Sequence, residues 1–314
     1  MQIGLGTAAI GRPQYINIRQ KEATPFSLDA FRQKGFSMLD AAYAQGVRYF
    51  DTAPGYGLAE QLLIDWVATK NDATIEIATK WGYTYVANFD PNAEQHEVKE
   101  HSLSKLNEQW AQSKVILPSL STYQIHSATF ATGVLDTPPI LNRLHELKKQ
   151  HGIKIGITTT GANQVDVIKK AMNITVADEP LFTVYQVTYN ILDQSLSEVA
   201  TALHANGSRM IIKEALANGR FFPNEQYPHY HKLYAALERM AQKYDVGIDA
   251  IALRFCWDSI APFTVLSGAA IPEHLSANLK TADIQLETAD LEELANFKVD
   301  PAIYWEERKK LGWN

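Results

Sequence analysis

Short runs of β-branched, aromatic and aliphatic residues alternate with segments of helical periodicity along the whole chain. These runs predict eight strands, at roughly 3–8, 47–53, 74–80, 121–126, 153–158, 183–189, 208–213 and 263–267. Strands that alternate with helices imply a parallel sheet. Eight such units close most simply into a (β/α)8 TIM barrel, an α/β fold, and an open doubly wound sheet is the alternative.

The segments between the strands carry helix signals. Ser37 and Asp40 resemble the two ends of a capping box, with Ser37 as the N-cap, and Gly46 would end that helix. Apolar positions from Pro139 to Leu147 share one stripe, which predicts a helix that ends near Gly152. Further helices are predicted at roughly 163–171, 195–205 and 234–244.

A long segment from about Gly11 to Phe36 separates the first strand from the first predicted helix. In a barrel such a loop lies on the catalytic face, where it either covers the site or is a plain surface loop. Gly4 to Ala9 fits the dinucleotide fingerprint G-x-G-x-x-A. We reject that reading because it leaves only three residues for the preceding strand and puts Gly11 and Pro13 inside the new helix.

Length and composition narrow the function classes. A chain of 314 residues suits one barrel domain over 1–314, and 46% apolar with 20% charged residues indicates a globular protein. The net charge of −6 argues against nucleic-acid and anionic-membrane partners. Cys256 is the only cysteine, and neither a secretory signal nor a transmembrane-length apolar run is evident. These features predict a cytoplasmic protein.

Polar side chains stand at or just past the ends of three successive predicted strands. Asp51 ends the second strand and Tyr56 follows after a turn, Lys80 ends the third strand, and His126 ends the fourth. A carboxylate, phenol, ammonium and imidazole are costly to bury, so their coincidence at one end of a barrel indicates chemistry. Each residue alone has an ordinary structural reading as a turn, a solvated strand end or a core histidine.

Together these four groups suit proton transfer. Tyrosine has an ordinary pKa of about 10. We expect the Lys80 ammonium to lower the Tyr56 pKa, with Asp51 holding the lysine charged. His126 would donate to a substrate oxygen or relay a proton. No cluster of metal-ligating residues appears in the sequence, so hydride from a nicotinamide cofactor is the simplest partner for a carbonyl substrate.

The chain resembles the aldo-keto reductase superfamily along nearly its whole length. The segments that carry the resemblance are Asp51–Gly57, Ala78–Gly82, Gln124–His126, Tyr185–Asn190 and Phe263–Ala269, with Pro272, Glu273 and Asn278. The resemblance implies a TIM barrel with the cofactor across its carboxyl face. It implies Tyr56 as acid and base, Asp51 and Lys80 as its tuners, His126 as the substrate-orienting residue, and Gln186 on the nicotinamide carboxamide.

The resemblance also assigns a cofactor site, from which this chain departs at several positions. The implied cofactor-binding residues are Thr158, Thr159, Gln186, Lys213, Ser267, Gly268, His274 and Asn278. Thr158 and Thr159 stand where many relatives have Ser-Asn, and Thr159 offers no amide. Lys213 stands where an aromatic ring commonly stacks on the nicotinamide, and an ion pair of Lys213 with Glu214 or a nearby carboxylate is the structural alternative.

Cofactor and substrate follow from the same resemblance. It favours NADP(H), but Gly268 and His274 replace the usual phosphate-binding cations, so NAD(H) stays open and we expect both to bind, with NADP(H) only modestly preferred. Arg254 or Lys280 would be substitute clamps. The expected substrate is a small carbonyl or alcohol, an aldehyde, ketone or sugar. The alternative function is a non-redox lyase, isomerase or aldolase that uses Tyr56 and Lys213. The sequence leaves the oligomeric state open.

Overall fold

The computed structural model describes residues 1–13, 27–90 and 92–312. Eight parallel strands, β1 to β8, form a closed barrel in sequence order, and β8 pairs with β1. Their bounds are Ile3–Gly6, Tyr49–Asp51, Glu76–Trp81, Leu120–Ala128, Lys154–Thr159, Val184–Thr188, Arg209–Lys213 and Thr264–Ser267. The predicted TIM barrel is therefore confirmed, and the open doubly wound sheet is not found.

The first strand is shorter than the sequence predicts. It ends at Gly6, and a single helical turn, Ala8–Gly11, follows it. This turn stops before Pro13, and Arg12 already has an extended backbone. The glycine motif thus begins one turn and not the long helix that the dinucleotide fingerprint requires.

An apolar layer fills the barrel interior at mid-height. It consists of Tyr49, Ala78, Val184, Ile211 and Leu266, all at most 9% exposed. Side chains alternate along a strand, so the residue two positions later faces the same interior. The apolar layer therefore fixes which side chains point into the barrel mouth.

The next layer of interior side chains, toward the carboxyl ends of the strands, is polar. Two positions beyond Tyr49, Ala78, Val184 and Ile211 stand Asp51, Lys80, Gln186 and Lys213, respectively. Each of the four lies at or near the carboxyl end of its strand. This change from an apolar to a polar layer marks the carboxyl end of the barrel as the place for chemistry.

Helices surround the barrel. They are Leu28–Ala44, Ala59–Val67, Leu103–Ser113, Pro138–His151, Gln164–Met172, Ser197–Ala205, His231–Tyr244, Ile248–Ile260, Pro272–Leu279, Thr288–Ala295 and Pro301–Lys309. The helix Pro138–His151 buries Ile140, Leu144 and Leu147 on one stripe, and ends at Gly152 in the left-handed region, as predicted. Among the described residues, no helix is long and apolar enough to cross a membrane.

The predicted start of the first outer helix, at Ser37, is wrong. It begins at Leu28, and the Ser27 hydroxyl, not Ser37, accepts the capping hydrogen bond from the backbone N–H of Ala30. Ser37 lies inside this helix, whose packing against the barrel overrides the local capping pattern. The expected loop over 11–36 is therefore helical from residue 28 onwards, and its central part, 14–26, lies outside the described residues.

Candidate active site

A buried ion pair lies at the base of the barrel mouth. Lys80 Nζ donates to Asp51 Oδ2 at 2.6 Å and to the Thr52 carbonyl oxygen at 2.9 Å, and the Lys80 side chain is fully buried. Gln186 Nε2 donates to Asp51 Oδ1 at 2.5 Å. Both carboxylate oxygens of Asp51 thus have partners, which satisfies the hydrogen-bonding demand of a buried charge.

Tyr56 is positioned by a tight turn above this ion pair. The turn Pro54–Tyr56 ends at Gly57, whose φ of +64° favours glycine. The carbonyl oxygen of Gly11 accepts from the backbone N–H of Leu58 at 2.7 Å. A Cβ on Gly11 would clash with the Tyr56 carbonyl oxygen, so only glycine lets the two turns pack this closely. This contact fixes the Tyr56 backbone.

The structure brings the four sequence-predicted catalytic residues together. Lys80 Nζ lies 4.8 Å from the centroid of the Tyr56 ring. The Tyr56 hydroxyl lies 3.4 Å from His126 Nε2, and the two rings meet edge to face. Side chains from β2, its following turn, β3 and β4 therefore converge on one point, as the sequence predicts.

The expected direction of the Tyr56 pKa is wrong. Burial raises the pKa of Tyr56 well above its ordinary value, the Asp51 carboxylate raises it further, and the Arg12 guanidinium opposes them. The sequence shows that an ammonium is near the phenol, but not that Asp51 offsets that ammonium or how deeply the phenol is buried. The protein alone thus keeps Tyr56 protonated at neutral pH, which suits a proton donor.

His126 is neutral at neutral pH. Burial lowers the pKa of His126 well below its ordinary value, and the positive charges of Lys80, Arg12 and Lys213 lower it further. The Tyr83 ring packs against the imidazole with centroids 4.6 Å apart. A neutral imidazole has one N–H to donate, so His126 can orient a substrate oxygen beside Tyr56.

Sequence reasoning missed the ion pair that flanks Tyr56. Arg12 Nη1 donates to Glu97 Oε2 at 2.8 Å and to the Gly55 carbonyl oxygen at 2.9 Å. The Arg12 guanidinium carbon lies 5.3 Å from the centroid of the Tyr56 ring. Arg12 and Glu97 are 85 residues apart, and no local pattern connects them. Arg12, which follows the helical turn after the first strand, can be recognised as a neighbour of Tyr56 only once the fold is known.

A cavity of about 650 Å³ opens beside Tyr56. Most of the sequence-predicted site residues line it, namely Asp51, Tyr56, Gln186, Lys213, Ser267, Gly268, His274 and Asn278. Apolar side chains such as Leu216, Phe222 and Leu266 complete its wall. The mixture of apolar surface and a few convergent polar groups is typical of small-molecule and cofactor sites.

Four predicted site residues do not belong to the described lining of this cavity. Lys80 lies beneath it and His126 beside Tyr56, and Thr158 and Thr159 are buried in structural contacts. Thr158 Oγ1 accepts from the backbone N–H of Ser127 at 2.7 Å, and Thr159 Oγ1 donates to Gln164 Oε1 at 3.4 Å. Their cofactor-binding role stays a prediction, to which this geometry adds no support.

Lys213 reaches the cavity from the end of β7. Its Nζ donates to Thr188 Oγ1 at 3.0 Å. Glu214, the expected ion-pair partner, is instead held by Arg308 Nη2 at 2.8 Å. In the described part of the chain, no carboxylate lies within ion-pairing distance of Lys213 Nζ. The ion-pair alternative for Lys213 is therefore not found.

The end of the cavity remote from Tyr56 holds a chain of hydrogen bonds. Ser267 Oγ donates to Asn278 Oδ1 at 2.6 Å, and Asn278 Nδ2 donates to Asp249 Oδ2 at 2.5 Å. Asp249 was not predicted as a site residue. It lies in the first turn of the helix Ile248–Ile260 and lines the cavity together with His274 and Gly268. This end thus presents a carboxylate.

The proposed substitute clamps lie elsewhere. Arg254 Nε donates to both carboxylate oxygens of Asp258 at 2.8 Å, and neither Arg254 nor Lys280 belongs to the described cavity lining. A phosphate at the Asp249 end would therefore meet no described guanidinium or ammonium there.

The model of the aldo/keto reductase family matches residues 2–298 of this chain. The chain belongs to that family. It is an enzyme of the oxidoreductase class, as predicted. The chain is similar to the aldo-keto reductase YhdN of Bacillus subtilis (strain 168), with 24% identity over 307 residues that cover 88% of this chain and 83% of that protein.

Further relatives agree with the assignment. The chain is 23% identical over 321 residues to an NADH-specific methylglyoxal reductase of Escherichia coli (strain K12), covering 92% of each protein. Its fold is similar to that of the holo form of aldo-keto reductase AKR11C1 from Bacillus halodurans, with a TM-score of 0.72 and 21% identity over 95% of this chain and 93% of that one. These similarities support an enzyme that interconverts carbonyls and alcohols.

Proposed function

We propose that this aldo/keto reductase interconverts a small carbonyl compound and an alcohol with NAD(P)(H), and that Tyr56 is its general acid and base. The observation that carries the proposal is the position of Tyr56. Its ring lines the cavity, its hydroxyl lies 3.4 Å from His126 Nε2, and the Lys80–Asp51 ion pair lies beneath it. Such an arrangement delivers a proton at one place in the cavity.

The cavity fits a nicotinamide dinucleotide in its chemistry. Gln186 offers amide groups near Tyr56, the walls carry apolar side chains, and Ser267 and Asn278 offer polar groups at the far end. Gly268 lines the cavity, and a Cβ there would meet no heavy atom within 4 Å, so the backbone is open to close approach by a ligand. When bound, the cofactor supplies the hydride that adds to the carbonyl carbon.

The residues of this chain manage the proton. As the carbonyl π bond breaks, its oxygen takes the proton from the Tyr56 hydroxyl, which leaves a phenolate. The neutral imidazole of His126 donates a hydrogen bond to the same oxygen. Lys80, 4.8 Å from the Tyr56 ring centroid, stabilises the phenolate, and a solvent proton then restores the phenol. In the oxidative direction the phenolate accepts the proton of the alcohol.

Asp51 sets the balance between these charges. It neutralises Lys80 and binds Gln186 through its second oxygen, so it ties the proton-transfer group to the cavity wall at β6. With Asp51 charged, the phenol keeps its proton until a substrate oxygen demands it. The arrangement favours Tyr56 as an acid over Tyr56 as a base at neutral pH.

For the cofactor, we infer that NAD(H) binds at least as tightly as NADP(H). The 2′-phosphate distinguishes the two cofactors, and the end of the cavity remote from Tyr56 carries the Asp249 carboxylate. Arg254 is engaged by Asp258 outside the cavity lining. The family resemblance favours NADP(H), whereas the charges at this end favour the cofactor that lacks the phosphate.

The test is a binding titration followed by turnover. The purified protein is titrated with NADH, NAD⁺, NADPH and NADP⁺, and then mixed with aldehydes, ketones and sugars while absorbance of the reduced nicotinamide is recorded. We expect tight dinucleotide binding and loss of that absorbance with at least one carbonyl class. Absence of dinucleotide binding, or conversion of a carbonyl substrate without any redox change, would refute the proposal and favour the lyase, isomerase or aldolase alternative.

A further inference from the structure

One cation of the catalytic cavity is left without a described carboxylate partner. Lys80 is neutralised by Asp51, whereas the contacts of Lys213 Nζ are with neutral groups, the hydroxyl of Thr188 at 3.0 Å and the ring of Trp305, whose centroid lies 5.7 Å away. Glu214 is adjacent in sequence, but its φ of +55° lies in the left-handed region and its carboxylate accepts from Arg308 and Tyr304. Glu214 thus acts on Lys213 through its charge, which it shares with Arg308, and makes no direct ion pair with it.

Lys213 stands at the catalytic end of the cavity and not at the Asp249 end. It pairs with Thr188 in the β6–β7 register, two positions beyond Gln186, and Gln186 reaches Asp51 directly. Lys213, Gln186, Asp51 and Tyr56 line the same cavity. Any ring that delivers hydride to the carbon next to the proton donor must lie among these side chains, and so near the Lys213 ammonium.

We propose that Lys213 makes the site bind the reduced dinucleotide more tightly than the oxidised one and so favours occupancy of the substrate-free enzyme by the reduced cofactor. This inference rests on the proposed function. The oxidised nicotinamide ring carries a positive charge and the reduced ring carries none. A nearby ammonium repels the first and not the second, and this repulsion is strong where the surroundings exclude water.

The effect of Lys213 on the two cofactor forms must be unequal to shift the equilibrium between them. A group that bound the diphosphate would strengthen the binding of both forms equally, so the ratio of their dissociation constants would stay unchanged. By linkage, a difference in affinity between the two forms raises the midpoint potential of the bound couple by the corresponding amount. Lys213 therefore acts on which cofactor form the enzyme holds, whereas Tyr56 acts on the rate of proton transfer.

The experiment measures dissociation constants without turnover. NADH and NAD⁺, and separately NADPH and NADP⁺, are titrated into the wild-type protein, Lys213→Met, Lys213→Arg and Lys280→Met. Lys213→Arg keeps the charge, and Lys280→Met removes the same charge outside the described cavity lining. We expect the ratio of the oxidised to the reduced dissociation constant to fall at least tenfold in Lys213→Met, and to stay near the wild-type value in the other two.

Each other result overturns the inference. An unchanged ratio in Lys213→Met would show that the charge does not act on the ring, and equal weakening of both forms would assign Lys213 to a shared group such as the diphosphate. Borohydride trapping of an aldehyde on Lys213 would make it a nucleophile instead. If Lys213→Met fails to fold by circular dichroism, Lys213→Gln takes its place. A protein that binds no dinucleotide at all refutes the proposed function, whereas an unchanged ratio refutes only this inference.

Discussion

Lys80 Nζ lies 2.6 Å from Asp51 Oδ2 in the interior of the barrel, and both side chains are almost fully shielded from solvent. Removing two charges from water costs several kcal/mol per ion, and a buried pair often stabilises a fold no better than apolar residues of similar volume. The fold alone therefore gives no reason to place this pair in the polar layer. The proposed role of Tyr56 supplies one, because a lysine beneath Tyr56 would stabilise the phenolate that proton transfer creates.

Lys80→Met tests that reason. The substitution leaves the Asp51 carboxylate buried without its cation, so we expect the free energy of unfolding to fall by about 3–5 kcal/mol. Activity at neutral pH should be suppressed as well, because Asp51 alone disfavours the phenolate. The matched variant Asp51→Asn/Lys80→Met should regain part of the stability in urea unfolding but not the activity. Recovery of activity in the double variant would show that the pair has only a structural role.

Tyr56→Phe tests the proton donor. Loss of the hydroxyl should lower kcat for carbonyl reduction by roughly 10²–10⁴-fold, while the dissociation constants of the dinucleotides stay near the wild-type values. Steady-state kinetics and calorimetry measure the two effects. Tyr83→Phe is the control, since it keeps a ring against His126. Near-normal turnover in Tyr56→Phe would mean that another group supplies the proton.

The pH dependence should differ between the two directions. Burial raises the pKa of Tyr56 above its ordinary value of about 10, so the phenol is protonated throughout the neutral range and beyond. The reaction that uses the acid should therefore keep its kcat as pH rises from about 7 to 9. Alcohol oxidation needs the phenolate, so its kcat should rise over the same range. A reductive kcat that falls through neutral pH would contradict this assignment.

The sequence predicts the barrel and the convergence of Asp51, Tyr56, Lys80 and His126 because both depend on local patterns, whereas the catalytic roles of these residues stay a proposal. Apolar runs mark the strands, and polar residues at their ends mark the mouth of the barrel. Prediction from the sequence fails where packing and burial, which depend on residues distant in the chain, decide the structure. The Ser37 capping pattern loses to packing of the helix from Leu28, and the Tyr56 pKa depends on burial that no local pattern shows.

Two other features depend on contacts between distant segments. The Arg12–Glu97 ion pair joins residues that are 85 positions apart. Asp249 enters the cavity from a helix with no motif of its own. The cofactor-binding roles, and a single domain over 1–314, stay predictions.

Glu60 should make stability depend on pH. Its Oε1 accepts from Thr79 Oγ1 at 2.5 Å and from Ser113 Oγ at 2.9 Å, yet burial raises the pKa of Glu60 to about 7. The folded protein then keeps a proton that the unfolded chain has lost, so stability is greatest below the unfolded pKa of 4.5 and decreases as pH rises to about 7. The change corresponds to roughly 3 kcal/mol.

Glu60→Gln removes this dependence. Glutamine keeps an acceptor oxygen for both hydroxyl groups and carries no titrating proton. We expect the variant to gain stability relative to the wild type as pH rises from about 5 to 7.5, in urea unfolding series at each pH. Glu238→Gln, on an exposed helical face, is the control. Parallel stability curves for Glu60→Gln and the wild type would show that Glu60 is ionised in the folded protein.

Asp249 should set the choice between the two dinucleotides. Its carboxylate lines the cavity end that holds Ser267 and Asn278, where it would repel the additional phosphate of NADP(H). We expect NAD(H) to bind the wild type at least as tightly as NADP(H). Asp249→Asn keeps an acceptor for Asn278 and removes the charge, so it should shift the affinity ratio toward NADP(H) by about 1 kcal/mol, or roughly fivefold. Asp283→Asn, outside the described cavity lining, should shift nothing. Calorimetry at neutral pH decides, because a wild-type preference for NADP(H) above about a thousandfold, roughly 4 kcal/mol, requires a cationic phosphate clamp and would refute the role given to Asp249.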